Sequence, residues 1–320
     1  MQIPRFPLAA VFVAALFLAG CESPGPVDPS PRPAARPAPP AASPDAPDPP
    51  QRSESSRLLS TYYARVQNDL LSQGLLRRDG GGVDTPFDAD RLARTFVRVA
   101  LFEEYATDTG RLVARETESR LHRWEQPVRI DTMFGASVPA GQRLRDRANV
   151  ERLANRLESA TGHPVSTVPS NGNFTVFIVD EDERRALGPE LRRLVPGISE
   201  IALNSILALP KSSYCVVFAL DPSDSGRYTR AISIIRAEHP DLLRLSCIHE
   251  EIAQGLGLPN DTPTARPSIF NDDEEFALLT RHDELLLKML YDPRLRPGMR
   301  PDEAAPIARR IAEELVGGSS

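Results

Sequence analysis

The run Cys247-Ile248-His249-Glu250-Glu251-Ile252-Ala253-Gln254-Gly255-Leu256-Gly257-Leu258-Pro259-Asn260-Asp261 decides the fold. Pro240-Asp241 opens a helix, and the apolar spacing carries it to about Gly257. At about 100° per residue, Cys247, Glu250, Glu251 and Gln254 fall on one side of it. Leu245, Ile248, Ile252 and Leu256 lie on the other flank and face a core. His249 points nearly opposite Glu251, away from the acidic side chains. The simplest competing reading is a solvated helix face, since glutamates early in a helix are favoured by its dipole.

His249-Glu250 begins like a zinc-protease helix, H-E-x-x-H, whose two histidines share a face at i and i+4. Four residues after His249 stands Ala253, so that frame fails. Shifted by one residue, the run reads E-E-x-x-Q-x-x-G-x-x-N-D. This is similar to the metzincin pattern H-E-x-x-H-x-x-G-x-x-H, with the spacing kept and the ligands changed. By that resemblance Glu250 and Gln254 stand at the two helix ligands and Glu251 at the general base. Gly257 stands at the turn, Asn260 at the third ligand, and Asp261 beside it.

The wider stretch from Cys247 to Met299 includes P-S-I-F-N-D-D-E-E-F from Pro267 to Phe276 and L-Y-D-P-R-L-R-P-G-M from Leu290 to Met299. It resembles an uncharacterised bacterial family, domain of unknown function 2927, across most of the chain after its proline-rich segment. The resemblance implies a zincin-like fold, with a sheet packed on an active-site-type helix, and it implies no known activity. The ligand set departs from zinc chemistry. Zinc prefers imidazole nitrogen and thiolate sulfur, whereas Glu250, Gln254, Asn260 and Asp261 offer only oxygen. Oxygen donors suit a divalent cation such as calcium, magnesium or manganese.

Working outward, the expected class is α+β. Leu58, Leu59, Tyr62, Val66, Leu70 and Leu71 recur at helical spacing until Gly74. Asp88 caps a second helix carrying Leu92, Phe96, Val99 and Phe102. The stretch 53–125 therefore reads as a helical accessory region, with Trp124 as a core residue. The stretch 126–320 reads as the zincin-like α+β domain. In it, Val128–Met133, Phe174–Val179, Cys215–Leu220 and Ala231–Arg236 are strands. Asp146–Ala160, Thr280–Tyr291 and Pro301–Val316 are helices. Asp272-Asp273 is expected to cap the helix that follows it. His282-Asp283 is an attractive pair on paper, but neighbours on a helix do not face each other.

Residues 1–20 read as a lipoprotein signal, with Arg5 in the n-region and an apolar run from Leu8 to Leu18, too short to span a bilayer. Leu18-Ala19-Gly20-Cys21 resembles a lipobox, which implies an acylated Cys21 and a lipid anchor carrying palmitate-type chains. Glu22 after it points, by resemblance to lipoprotein sorting, to the outer membrane facing the periplasm. Residues 21–52 hold the anchor and a tether. Ser23 to Gln51 contains about a dozen prolines, and its extended reach is about 80–90 Å at about 3.1 Å per residue.

The formal net charge of -6 excludes nucleic acid as a partner on balance. Cys215 and Cys247 are read as one disulfide in an oxidising compartment, with two buried thiols as the alternative. Such a bridge would contribute about 3–4 kcal/mol in the chain-entropy model. The chain contains no GxSxG, P-loop or GxGxxG motif. Two functions remain. The first is an anchored binding or structural protein on a degenerate metalloprotease-like scaffold, with an envelope protein or peptide as partner. The second is a periplasmic metal-dependent hydrolase acting on peptide or cell-wall material, with Glu251 as base.

Overall fold

The computed structural model describes residues 51–108, 111–271 and 273–317. Cys21 and nearly all of the tether lie outside the described residues. The strand Phe174–Val179 (FTVFIV) is buried at every position, and a run of that kind is stable only where both of its faces are covered. It forms the centre of a five-stranded sheet.

In chain order the elements are α1 (Glu54–Ser72), α2 (Ala89–Ala100), β1 (Phe102–Asp108), β2 (Arg111–Glu118), β3 (Arg123–Trp124), β4 (Val128–Phe134), α3 (Ala140–Thr161), β5 (Val165–Thr167) and β6 (Phe174–Val179). There follow α4 (Glu181–Arg185), α5 (Gly188–Leu194), α6 (Glu200–Leu207), β7 (Cys215–Leu220), β8 (Arg227–Tyr228), β9 (Arg230–Arg236), α7 (Asp241–Gln254), α8 (Arg281–Leu290) and α9 (Pro301–Gly317). The large sheet has the order β5-β4-β6-β9-β7. The pairs β5·β4, β4·β6 and β6·β9 are parallel, and β7 runs antiparallel along β9 as an edge. The mixed helices and strands make the fold α+β.

Side chains alternate across the sheet with the period of two that a pleated strand requires. Phe174, Val176, Ile178, Ala231 and Ile235 point into the larger core, which also takes in residues of α2, α3, α7, α8 and α9. Phe177, Val179, Ile232 and Ile234 point the other way, onto Leu191 of α5 and Leu203 and Ile206 of α6. Trp124 is a core residue, 1% exposed. Its Nε1 donates to the Gly255 carbonyl at 2.8 Å and its ring stacks on Phe174, so β3 is fixed to the end of α7.

Several elements differ from the sequence reading. Within the stretch read as helical, β1 and β2 pair as an antiparallel hairpin, and Phe102 belongs to that hairpin rather than to α2. Asp88 does cap α2, accepting from the Arg91 amide. The described residues form one compact unit. The short helices α4, α5 and α6 lie where no periodicity was read. Asp273 does not cap α8: its carboxylate accepts from the Glu275 amide in the preceding loop, and Asp272 lies outside the described residues. The cap is Thr280, which forms a capping box with Asp283.

Asp283 holds that loop together. It is fully buried. Its carboxylate accepts from the Ser268 and Thr280 hydroxyls and from the Ile269 and Thr280 amides. Removing it leaves buried donors unsatisfied, at about 1–3 kcal/mol each. Asp283→Ala is expected to destabilise the fold by about 3–5 kcal/mol on that basis, read as a lowered urea midpoint. A midpoint within error of wild type would contradict this role.

Candidate functional site

α7 begins just after β9, the neighbour of edge strand β7. Its residues are buried on nearly every side: Cys247, His249, Glu251, Ile252, Ala253 and Gln254 are all enclosed, and Glu250 is half-buried. The two-sided helix read from the sequence is therefore enclosed rather than solvated. Leu245, expected to face the core, is only half-buried.

Cys247 is bridged to Cys215 of β7, with the Cα atoms 5.9 Å apart, so the two cysteines form one disulfide and are not two unpaired thiols. The bridge brings β7 against the acidic pair. A carboxylate oxygen of Glu250, one of Glu251 and the Cys215 sulfur all lie within 4.8 Å of one another. Glu251 is 3% exposed.

The other expected ligands have hydrogen-bond partners of their own. Gln254 Nε2 donates to Asp261 Oδ1 at 3.3 Å, so these two pair with each other. Asn260 is turned towards α2. Its Nδ2 donates to the Arg98 carbonyl at 2.9 Å and to Glu116 Oε2 at 3.2 Å, and its amide donates to the Val99 carbonyl. It ties the loop after α7 to α2 and the β1–β2 hairpin. Gly257 does make the expected turn, with φ of 128°, and a Cβ there would meet the His122 carbonyl oxygen at 2.2 Å.

A metal of the zincin type does not fit these donors. The one sulfur in the group is bonded to another sulfur, and none of the group's three donors is an imidazole. The nearest histidine in sequence, His249, faces elsewhere: its Nδ1 accepts the Leu279 amide at 3.1 Å. Burial pushes the His249 pKa from 6.5 down to about 3, and the charges of Arg156 and Arg152 push the same way. His282 and Asp283 are both fully buried, with Nδ1 and Oδ1 4.0 Å apart. That is too far for a hydrogen bond, in line with the sequence reading of a pair that does not face itself.

One polar cluster escaped the sequence reading. Arg236 ends β9, and Glu238 and His239 follow it. Glu181, at the start of α4, accepts Arg236 Nη1 at 2.7 Å and pairs with Arg184 at 2.8 Å. Glu238 accepts the Ser56 hydroxyl and the Glu181 amide, docking α1. His239 sets its Nδ1 3.7 Å from the Cys247 sulfur. Burial holds its pKa well below the usual value, and Arg236 and Arg244 add to that. The signal was the charged run R-A-E-H after a buried strand, where exposed residues were the default.

The profile of the family described as protein of unknown function (DUF2927) matches residues 89–310. The chain belongs to that family. No curated protein and no solved structure matches it.

The buried histidine gives a pH prediction. The unfolded chain protonates His249 below about pH 6.5, while the folded protein refuses that proton until about pH 3. Its stabilising share is therefore full above pH 6.5 and falls as pH drops towards 3, by about 1.4 kcal/mol per unit. In His249→Gln, stability between pH 6 and 4 is expected to fall less steeply than in wild type by about that amount, measured by urea unfolding at each pH. Parallel curves would remove His249 as a source of acid sensitivity.

Proposed function

We propose that this chain is an envelope-anchored lipoprotein whose folded unit is a degenerate, zincin-like scaffold with a non-catalytic binding or structural role. The single observation that carries the non-catalytic reading is the Cys215–Cys247 bridge. It joins the edge strand to the acidic side of α7, where a metal-dependent hydrolase needs an open position for water and substrate. Supporting it, Gln254 pairs with Asp261 and Asn260 donates to a backbone carbonyl of α2. The zincin-like scaffold is supported by an antiparallel edge strand beside a buried helix bearing the motif. The hydrolase reading needs Glu251 to act as base on a bound substrate, and a residue 3% exposed is poorly placed for that.

Elemental analysis of the purified protein tests the reading. No stoichiometric metal and an unchanged melting temperature after chelation are expected. A metal at one per chain that is lost in Glu250→Ala or Gln254→Ala would replace this reading with the hydrolase.

The anchor is tested separately. Cys21→Ser is expected to move the protein from the membrane fraction to the soluble fraction. Unchanged fractionation would dismiss the lipid anchor without touching the reading of the folded unit.

A further inference from the structure

We propose that the groove between α3, the loop before α2 and the first turn of α7 binds a ligand through its phosphoryl groups, a diphosphate being the best match. The groove encloses a cavity of about 340 Å³ lined by Arg78, Arg145, Asn149, Arg152, Asp241 and Arg244, among others. That volume is of the size that takes a small ligand. The groove does not involve the Glu250–Gln254 turn, so the inference holds whether or not that turn carries a metal.

Its floor is rigid. Arg244 is 2% exposed. Its Nε lies 3.0 and 2.9 Å from the two oxygens of buried Asp146, Nη1 donates to the His239 carbonyl at 2.6 Å, and Nη2 donates to Asp241 Oδ1 at 2.7 Å. One wall is a stripe on α3: Arg145, Asn149 and Arg152 stand at i, i+4 and i+7, on one face of the helix. Arg78 reaches in from the loop before α2.

The charges around this floor do not balance. Arg78 is exposed and forms no ion pair among the described residues. Arg152 is exposed, and its partner is the Asn149 side-chain oxygen, not a carboxylate. Arg145 reaches Asp241 only at 3.5 Å, and that carboxylate is already bonded to Arg244. Three guanidinium groups thus face one cavity, with one exposed and shared carboxylate, in a chain whose net charge is -6. Gathering like charges is unfavourable unless an anion is drawn in. Guanidinium forks match phosphate oxygens two at a time, and three of them exceed what a single carboxylate can accept. The phosphoryl groups can belong to a soluble diphosphate or to a lipid headgroup.

Isothermal titration of the full chain with inorganic pyrophosphate tests the first source. Flotation with phosphatidylglycerol vesicles against phosphatidylcholine vesicles tests the second. Saturable one-to-one pyrophosphate binding that weakens with salt is expected. Arg78→Ser and Arg152→Ser, both at exposed positions, are each expected to weaken it at least about tenfold. Arg192→Ser, whose side chain pairs with Glu200 on another face, is expected to change nothing. Phosphatidylglycerol binding sensitive to Arg78→Ser and Arg152→Ser, without pyrophosphate binding, supports the groove and assigns it to a headgroup. Absence of binding in both arms overturns the proposal. So does binding that both groove variants retain, or binding that polyglutamate displaces as well as pyrophosphate does.

Discussion

The bond between Cys247 and Cys215 joins the helix that carries the acidic pair to the free edge of the sheet, and much of the molecule follows from it. An antiparallel edge strand is the part of a sheet with the fewest partners. Here β7 is held by β9 and by a covalent link to α7. The link holds β7 beside Glu250 and Glu251, one oxygen of each lying within 4.8 Å of the Cys215 sulfur.

α7 is fixed at both of its ends as well. At the first turn, Arg244 is bound by Asp146 of α3. At the last, the Gly255 carbonyl takes the Trp124 indole N–H. A buried ion pair is weak support for stability, because desolvation cancels much of its attraction. What Arg244 and Asp146 contribute is register: with Arg244 held by Asp146, Asp241 and the His239 carbonyl, α3 and α7 are tied at one position. In the same way Glu181 of α4, paired with Arg184 of its own helix, ties α4 to Arg236 at the end of β9. Fully satisfied networks of this type specify one packing, whereas partly satisfied ones are costly.

The elements with a strong period were legible in the sequence. The buried run FTVFIV, the strand opened by Cys215 and the helix from Asp241 stand where their patterns put them. The β1–β2 hairpin was not, because Phe102 continues the helical spacing of Leu92, Phe96 and Val99 while the chain turns into a strand at that residue. Propensity could not break the tie, and tertiary packing did. α8 kept its place but not its cap: Asp272-Asp273 has the right composition, yet Thr280 with Asp283 forms the reciprocal box, and only distance along the chain separates the two candidates. Of the expected site, the acidic pair and the disulfide were readable from helical geometry and compartment chemistry. The direction of Asn260 was not, since it depends on the Arg98 carbonyl, 162 residues away in sequence.

The spacing that makes the motif resemble a metalloprotease helix has a physical cause that involves no metal. Gly257 takes a φ of 128°, which side chains rarely adopt, and any Cβ there would collide with the His122 carbonyl. Gly255 faces the Phe174 ring so closely that a Cβ would lie 2.5 Å from it. The glycines are thus required by the packing of α7 on β6 and on the segment before β3, and they would be required with any side chains at 250, 251 and 254. A helix delivered to the sheet this way must turn where it does, so the retained turn testifies to the scaffold alone. Only the side chains on the acidic face can testify to chemistry. On that face the sulfur is bridged, Gln254 pairs with Asp261, and the histidine is buried on another side.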